Sequence, residues 1–252
     1  MSAVPVLETR GLGRRFGSLQ AISDVSFSVP AGEVLGVIGP NGAGKSTFIN
    51  LVTGHIKPSA GQVLIDGKDM TGASPWTISR AGVARTFQIV KPFSGMTVRE
   101  NVAVGVLYEP RGTNRMSKAL HSADEILDEV GMTGMGDRMP GELSTADVRR
   151  LEFAKALASR PRLLLLDEVM AGLRPTEIGP SLDLIRKLKA SGTTIIVVEH
   201  VMKAILAVSD RVLVLAQGQI LTEGDPQEVL ANPRVIEAYL GHRYAKRRGG
   251  ES

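Results

Sequence analysis

The chain has 252 residues, 43% hydrophobic and 22% charged, enough for one sizeable α/β core with an inserted part. It contains no cysteine, which excludes a disulfide scaffold, a thiolate metal site and a cysteine nucleophile. Aromatics are only 4%, so the core is built from Leu, Ile, Val and Ala; the net charge is +4.

Residues 1–10 carry neither a basic start nor an apolar stretch, so no signal peptide is expected. No apolar run approaches the roughly 18–20 residues that cross a bilayer, and a protein soluble by itself is expected. Residues 25–29 and 61–66 alternate apolar and polar positions, the pattern of half-exposed antiparallel strands. Residues 33–38 read as a strand entering a glycine-rich turn, and 46–53 as the helix that follows. Between about 89 and 160 the pattern turns helical, over 97–106, 118–130 and 146–158. Residues 162–166 and 194–198 are short, wholly apolar strands, fit for the centre of a sheet covered on both faces. Gly224-Asp225-Pro226 and Asn232-Pro233 each open a short helix. A basic cluster, Arg243, Lys246, Arg247 and Arg248, ends the chain; it suits anionic lipid or nucleic acid, but a solvated, disordered end is expected. The fold class expected is α/β. One domain is expected: a core of 1–88 and 159–252, a helical subdomain at 89–158, and a basic disordered tail at 243–252.

Gly39-Pro40-Asn41-Gly42-Ala43-Gly44-Lys45-Ser46-Thr47 matches the phosphate-loop pattern G-x-x-x-x-G-K-[ST], with a strand before it and a helix after it. Gly42 and Gly44 let successive backbone N–H groups approach phosphate oxygens, and the helix aims its positive end at them. Lys45 supplies a point charge to the β- and γ-phosphates, and the Ser46 hydroxyl completes a Mg²⁺ shell. The pattern thus asks for ATP and Mg²⁺. Leu166-Asp167-Glu168 then puts two carboxylates at the carboxyl end of a buried strand, the edge where open α/β sheets bind ligands. Asp167 is placed to hold Mg²⁺, mostly through water, and Glu168 to polarise the water that attacks the γ-phosphate. Simple strand termination explains an acid pair taken alone.

With these motifs the sequence resembles the ABC ATPase family from Leu7 to Leu240. The resemblance implies a phosphate-loop NTPase core with an N-terminal antiparallel β part and an inserted helical subdomain. It also implies roles. Phe16 stands where the family stacks a ring on adenine; core packing is the alternative. Gln88, in Arg85-Thr86-Phe87-Gln88, stands at the glutamine that senses Mg²⁺ and meets the membrane partner; a surface polar residue is the alternative. His200, after Val198-Glu199, stands at the histidine that contacts the γ-phosphate; a helix-start residue is the alternative. The stretches 83–88, 96–102, 198–203 and 232–241 resemble most the ATP-binding subunits of branched-chain amino acid importers.

Three departures stand out. The signature Leu-Ser-Gly-Gly-Gln is here Leu143-Ser144-Thr145-Ala146-Asp147, adding Cβ atoms where glycine allows closest approach. Ser144 can still reach a partner's γ-phosphate, and it can equally be a helix N-cap; the two coexist. Val169 replaces the usual proline, and Arg174 stands where the dimer-contact loop usually has Asp. These changes point to a partner that is not an identical copy.

The resemblance therefore implies an ATPase on the cytoplasmic side of the inner membrane, attached peripherally to permease subunits. It would pair with a second ATPase and act indirectly with a solute-binding protein. The groove for the membrane partner is expected around Gln88 and 89–104, with Phe93 as either an aromatic anchor or a buried side chain. The rival is a non-transport ABC ATPase acting on nucleic acid or a ribosome, which the basic balance would suit. Such proteins carry two cassettes or a long coiled-coil insert, and this chain shows neither, so no nucleic-acid partner is expected.

Overall fold

The structure is a computed structural model that describes residues 3–87, 91–109, 113 and 115–240; Gln88 and the tail 243–252 lie outside the described residues. β1 (Leu7–Phe16) and β2 (Leu19–Val29) form an antiparallel pair. β3 (Val34–Ile38) starts a second sheet, and the glycine-rich turn leads from it to α1 (Lys45–Val52). β4 (Ala60–Ile65) and β5 (Lys68–Asp69) complete the first sheet in the order β2-β1-β4-β5. α2 (Pro75–Arg80) leads to β6 (Val83–Arg85), the far edge of the second sheet. Three helices follow and pack on one another: α3 (Val98–Tyr108), α4 (Met116–Glu129) and α5 (Thr145–Leu157).

The chain then re-enters the second sheet. β7 (Leu163–Asp167), α6 (Pro175–Ala190), β8 (Thr194–Val198) and α7 (Met202–Val208) precede the hairpin β9 (Arg211–Ala216) and β10 (Gln219–Gly224). α8 (Pro226–Ala231) and α9 (Pro233–Leu240) end the described chain. The sheet order is β10-β9-β3-β8-β7-β6, parallel throughout except for β10.

Every residue of β3, β7 and β8 is buried, which is why these strands need no polar alternation. The two-residue period of a strand sends alternate side chains to two cores. Val34, Ile38, Leu164, Leu166, Ile195 and Val197 face the core shared with α3 to α7. Leu35, Val37, Leu163, Leu165, Ile196 and Val198 face the core shared with α1 and the antiparallel sheet. Each such side chain contributes roughly 1.5–3 kcal/mol by leaving water. α1 is clasped between the sheets, with Phe48 and Phe27 ring centroids 5.5 Å apart.

This packing decides where the chemistry lies. β8 sits between β3 and β7, with Val198 paired to Val37 on one side and to Asp167 on the other. The carboxyl ends of three parallel strands therefore bring the glycine-rich turn, Asp167-Glu168 and Glu199-His200 to one edge. The strand expected over 162–166 is found one residue later, so Asp167 is itself a strand residue held by pairing on β8.

Candidate nucleotide site

The turn after β3 has to be glycine at two points. A Cβ on Gly39 would lie 2.2 Å from the Leu215 carbonyl oxygen, and one on Gly44 would lie 2.7 Å from that of Ala21, at φ 103°. Asn41, Gly42 and Ser46 are exposed, Thr47 is half-buried and Ala43 is buried against the core. α1 starts at Lys45 without any side-chain cap, as befits a helix end that offers its N–H groups to an anion. The Lys45 ammonium donates to the Gly39 carbonyl at 2.6 Å and to that of Pro40 at 3.1 Å. Burial pulls its pKa down, and the carboxylates of Glu168 and Asp167 push it back up.

Asp167 is buried at the strand end. Its N–H donates to Thr86 Oγ1 at 3.1 Å, and its Oδ2 accepts from Arg85 Nη2 at 3.2 Å. Burial raises its pKa; Arg85 opposes that and Glu168 adds to it. Glu168 has φ 50°, a left-handed backbone uncommon outside glycine, and its N–H donates to the Val198 carbonyl at 2.9 Å. The turn takes Glu168 out of the line of β7 at the sheet edge. Behind it, the fully buried Glu199 accepts the Met170 N–H at 2.8 Å, and burial pushes the Glu199 carboxyl up. His200 follows, exposed.

Ser46 and Asp167 line one cavity of about 910 Å³. One carboxylate and one hydroxyl fit Mg²⁺, which keeps several waters and takes phosphate oxygens in place of an all-protein cage. Among the described residues no cluster of three or more His, Asp or Glu offers such a cage.

The remaining expected residues stand apart from this cluster. Phe16 is exposed at the end of β1, its ring centroid 4.5 Å from the Arg14 guanidinium carbon. Ser144 is the N-cap of α5: its hydroxyl accepts the Asp147 N–H at 3.2 Å and donates to Asp147 Oδ2 at 2.6 Å. Phe93 is exposed, with the Lys155 ammonium 5.2 Å from its centroid. Sequence reasoning passed over Arg85, Asn50, Thr86 and Glu199, although Arg85 and Thr86 lie just before Gln88 and Glu199 directly follows a wholly apolar strand.

A glycine turn closing a central parallel strand, a lysine over it and an acid pair on a nearby strand end define a phosphate-loop nucleotide-binding protein. Known proteins place it further. Residues 22–171 match the ABC transporter family, and residues 219–245 match the branched-chain amino acid ATP-binding cassette transporter family. BraF of Pseudomonas aeruginosa, a high-affinity branched-chain amino acid transport ATP-binding protein, is 39% identical across 94% of this chain and 98% of its own. LivG of Escherichia coli, of the same description, is also 39% identical over the same shares. An ABC transporter cassette solved in its ADP conformation superposes with a TM-score of 0.85 at 33% identity, covering 94% of this chain and 99% of its own. The chain belongs to the ABC transporter family and is one of its ATP-hydrolysing cassettes.

Proposed function

We propose that the chain energises an importer for branched-chain or related amino acids, in a pair with a second ATPase and against separate permease subunits. The observation that carries the motor reading is the convergence of Lys45, Asp167 and Glu168 on one edge of the parallel sheet. The match of residues 219–245 and the names of the relatives support the solute class.

In this reading Phe16 stacks on the adenine, and the loop from Gly39 to Thr47, with Asn41, Gly42, Ala43 and Gly44, wraps the phosphates. Lys45 turns its charge from its own loop carbonyls to the β- and γ-phosphates. Ser46, Asp167 and Gln88 would hold Mg²⁺, which when bound would neutralise phosphate charge. Glu168 takes a proton from the attacking water, and His200 steadies the γ-phosphate. Ser144 serves the nucleotide of the paired subunit. Electrostatic positioning supplies most of the rate.

The groove for the permease, expected around Gln88 and 89–104, is better drawn as the same cavity. It runs from Ser46 and Asp167 to the exposed rings of Trp76, Phe87 and Tyr108 and, among the described residues, takes only Lys91, not Phe93, from that stretch. Trp76 and Tyr108 meet edge to face at 6.2 Å, an aromatic wall suited to an amphipathic segment. Among the described residues no helix is long and apolar enough to cross a membrane; attachment to the permease at the cytoplasmic face belongs to the same proposal. The chain should co-purify from membranes with permease subunits, and reconstitution with them and an amino-acid-loaded binding protein should stimulate ATP hydrolysis. Stimulation by RNA, with none by permease, would overturn the reading.

A further inference from the structure

Arg85, the last residue of β6, ties together three parts of the site. Its Nη1 donates to Asn50 Oδ1 at 2.6 Å, one turn after Ser46 on α1, and lies 3.4 Å from Thr53 Oγ1. Its Nη2 donates to Asp167 Oδ2 at 3.2 Å. The exposed ring of Phe87 covers the guanidinium, with 4.8 Å from its carbon to the ring centroid. The Arg85 side chain is only 12% exposed and that of Asp167 only 9%. A carboxylate so withdrawn from water needs a counter-charge, and Lys45, whose ammonium bonds to Gly39 and Pro40, supplies the smaller share of it. Arg85 supplies the larger share, through a direct bond to the carboxylate.

We propose that Arg85 is the resident counter-cation of Asp167, competing with Mg²⁺ for that carboxylate and so setting how much metal the site requires. The inference rests on the reading of Asp167 as the metal-holding residue. Two cations on one carboxylate repel each other, more strongly where burial lowers the effective dielectric. Metal binding therefore has to loosen the Arg85–Asp167 pair or share the carboxylate with it. A neutral side chain at position 85 removes both the competition and the repulsion. Arginine keeps its charge at any working pH, so the competition is built in and does not depend on protonation.

The test is binding of fluorescent ADP to the full chain, titrated with Mn²⁺ or Mg²⁺ and repeated in EDTA, with bound Mn²⁺ followed by electron paramagnetic resonance. Arg85→Gln should lower the half-saturating metal concentration by about threefold or more, while ADP affinity in EDTA stays unchanged. Arg85→Lys, which keeps the charge, should stay near wild type. An unchanged or raised metal requirement in Arg85→Gln overturns the proposal. Arg85→Met, equally uncharged, should lower the requirement likewise; it decides the matter if Arg85→Gln does not fold, and no shift overturns the proposal. Asp167→Asn separates the two readings. If it leaves the metal dependence intact, the assignment of Asp167 fails and the proposal with it; if it abolishes the dependence while Arg85→Gln does nothing, only the role of Arg85 fails.

Discussion

Lys45 bonds to two carbonyls of its own loop and fills no core space, so its removal opens no cavity. Lys45→Ala should lower ATP affinity at least tenfold, about 1.4 kcal/mol, and leave the nucleotide-free Tm unchanged. Nucleotide titration and thermal melting check this, and unchanged affinity would contradict the phosphate-loop assignment. Glu199 makes a different prediction. Burial raises its folded-state pKa above the ordinary 4.5, so its contribution to stability is full below that value and is lost as pH rises through the folded pKa. Glu199→Gln should therefore gain Tm over wild type as pH rises above the ordinary carboxylate value, and a pH-independent difference would contradict this. Lys45, Asp167 and Glu168 were legible in the sequence because each belongs to a short contiguous pattern. Arg85 and Glu199 were not, because their partners lie 82 and 29 residues away and meet them only through the sheet.

The elements that read well are those whose pattern is local. β7 and β8 are unbroken apolar runs, and α3 opens with Thr97 and Glu100 bonded as a capping box. β1 was not read as a strand, because register shifts between Thr9 and Leu12, and again to Arg14 and Arg15, break its alternation. α6 carries Pro180 within its span, which interrupts the helical signal. At the signature, the two readings of Ser144 now separate. As the N-cap of α5 it should cost about 1 kcal/mol when changed to Ala, a fall of roughly 2–4 °C in Tm for a chain of this size. That loss belongs to the isolated chain. A further loss of hydrolysis confined to mixtures with the paired ATPase would show the contact across subunits, and an unchanged Tm would contradict the cap.

For the whole molecule, two of the three departures lie on segments expected to face a second subunit, while Val169 is buried in the core. Thr145 opens α5 directly after Ser144, and Arg174 is spent on its own chain, its Nη2 donating to Glu177 Oε1 at 2.6 Å. The residues proposed for hydrolysis, Lys45, Asp167 and Glu168, match the family pattern. That division fits a pair of unlike ATPases in which the neighbour brings the more typical signature. In the proposed mechanism Glu168 activates the attacking water. Glu168→Gln keeps the size of the side chain and removes the charge, so it isolates that step. Single-turnover hydrolysis with nucleotide titration, in the presence of the paired ATPase and Mg²⁺, tests it most directly. ATP binding should persist, the hydrolytic step should slow by roughly 10²-fold or more, and the closed pair should accumulate. Hydrolysis by Glu168→Gln at the wild-type rate would contradict the account.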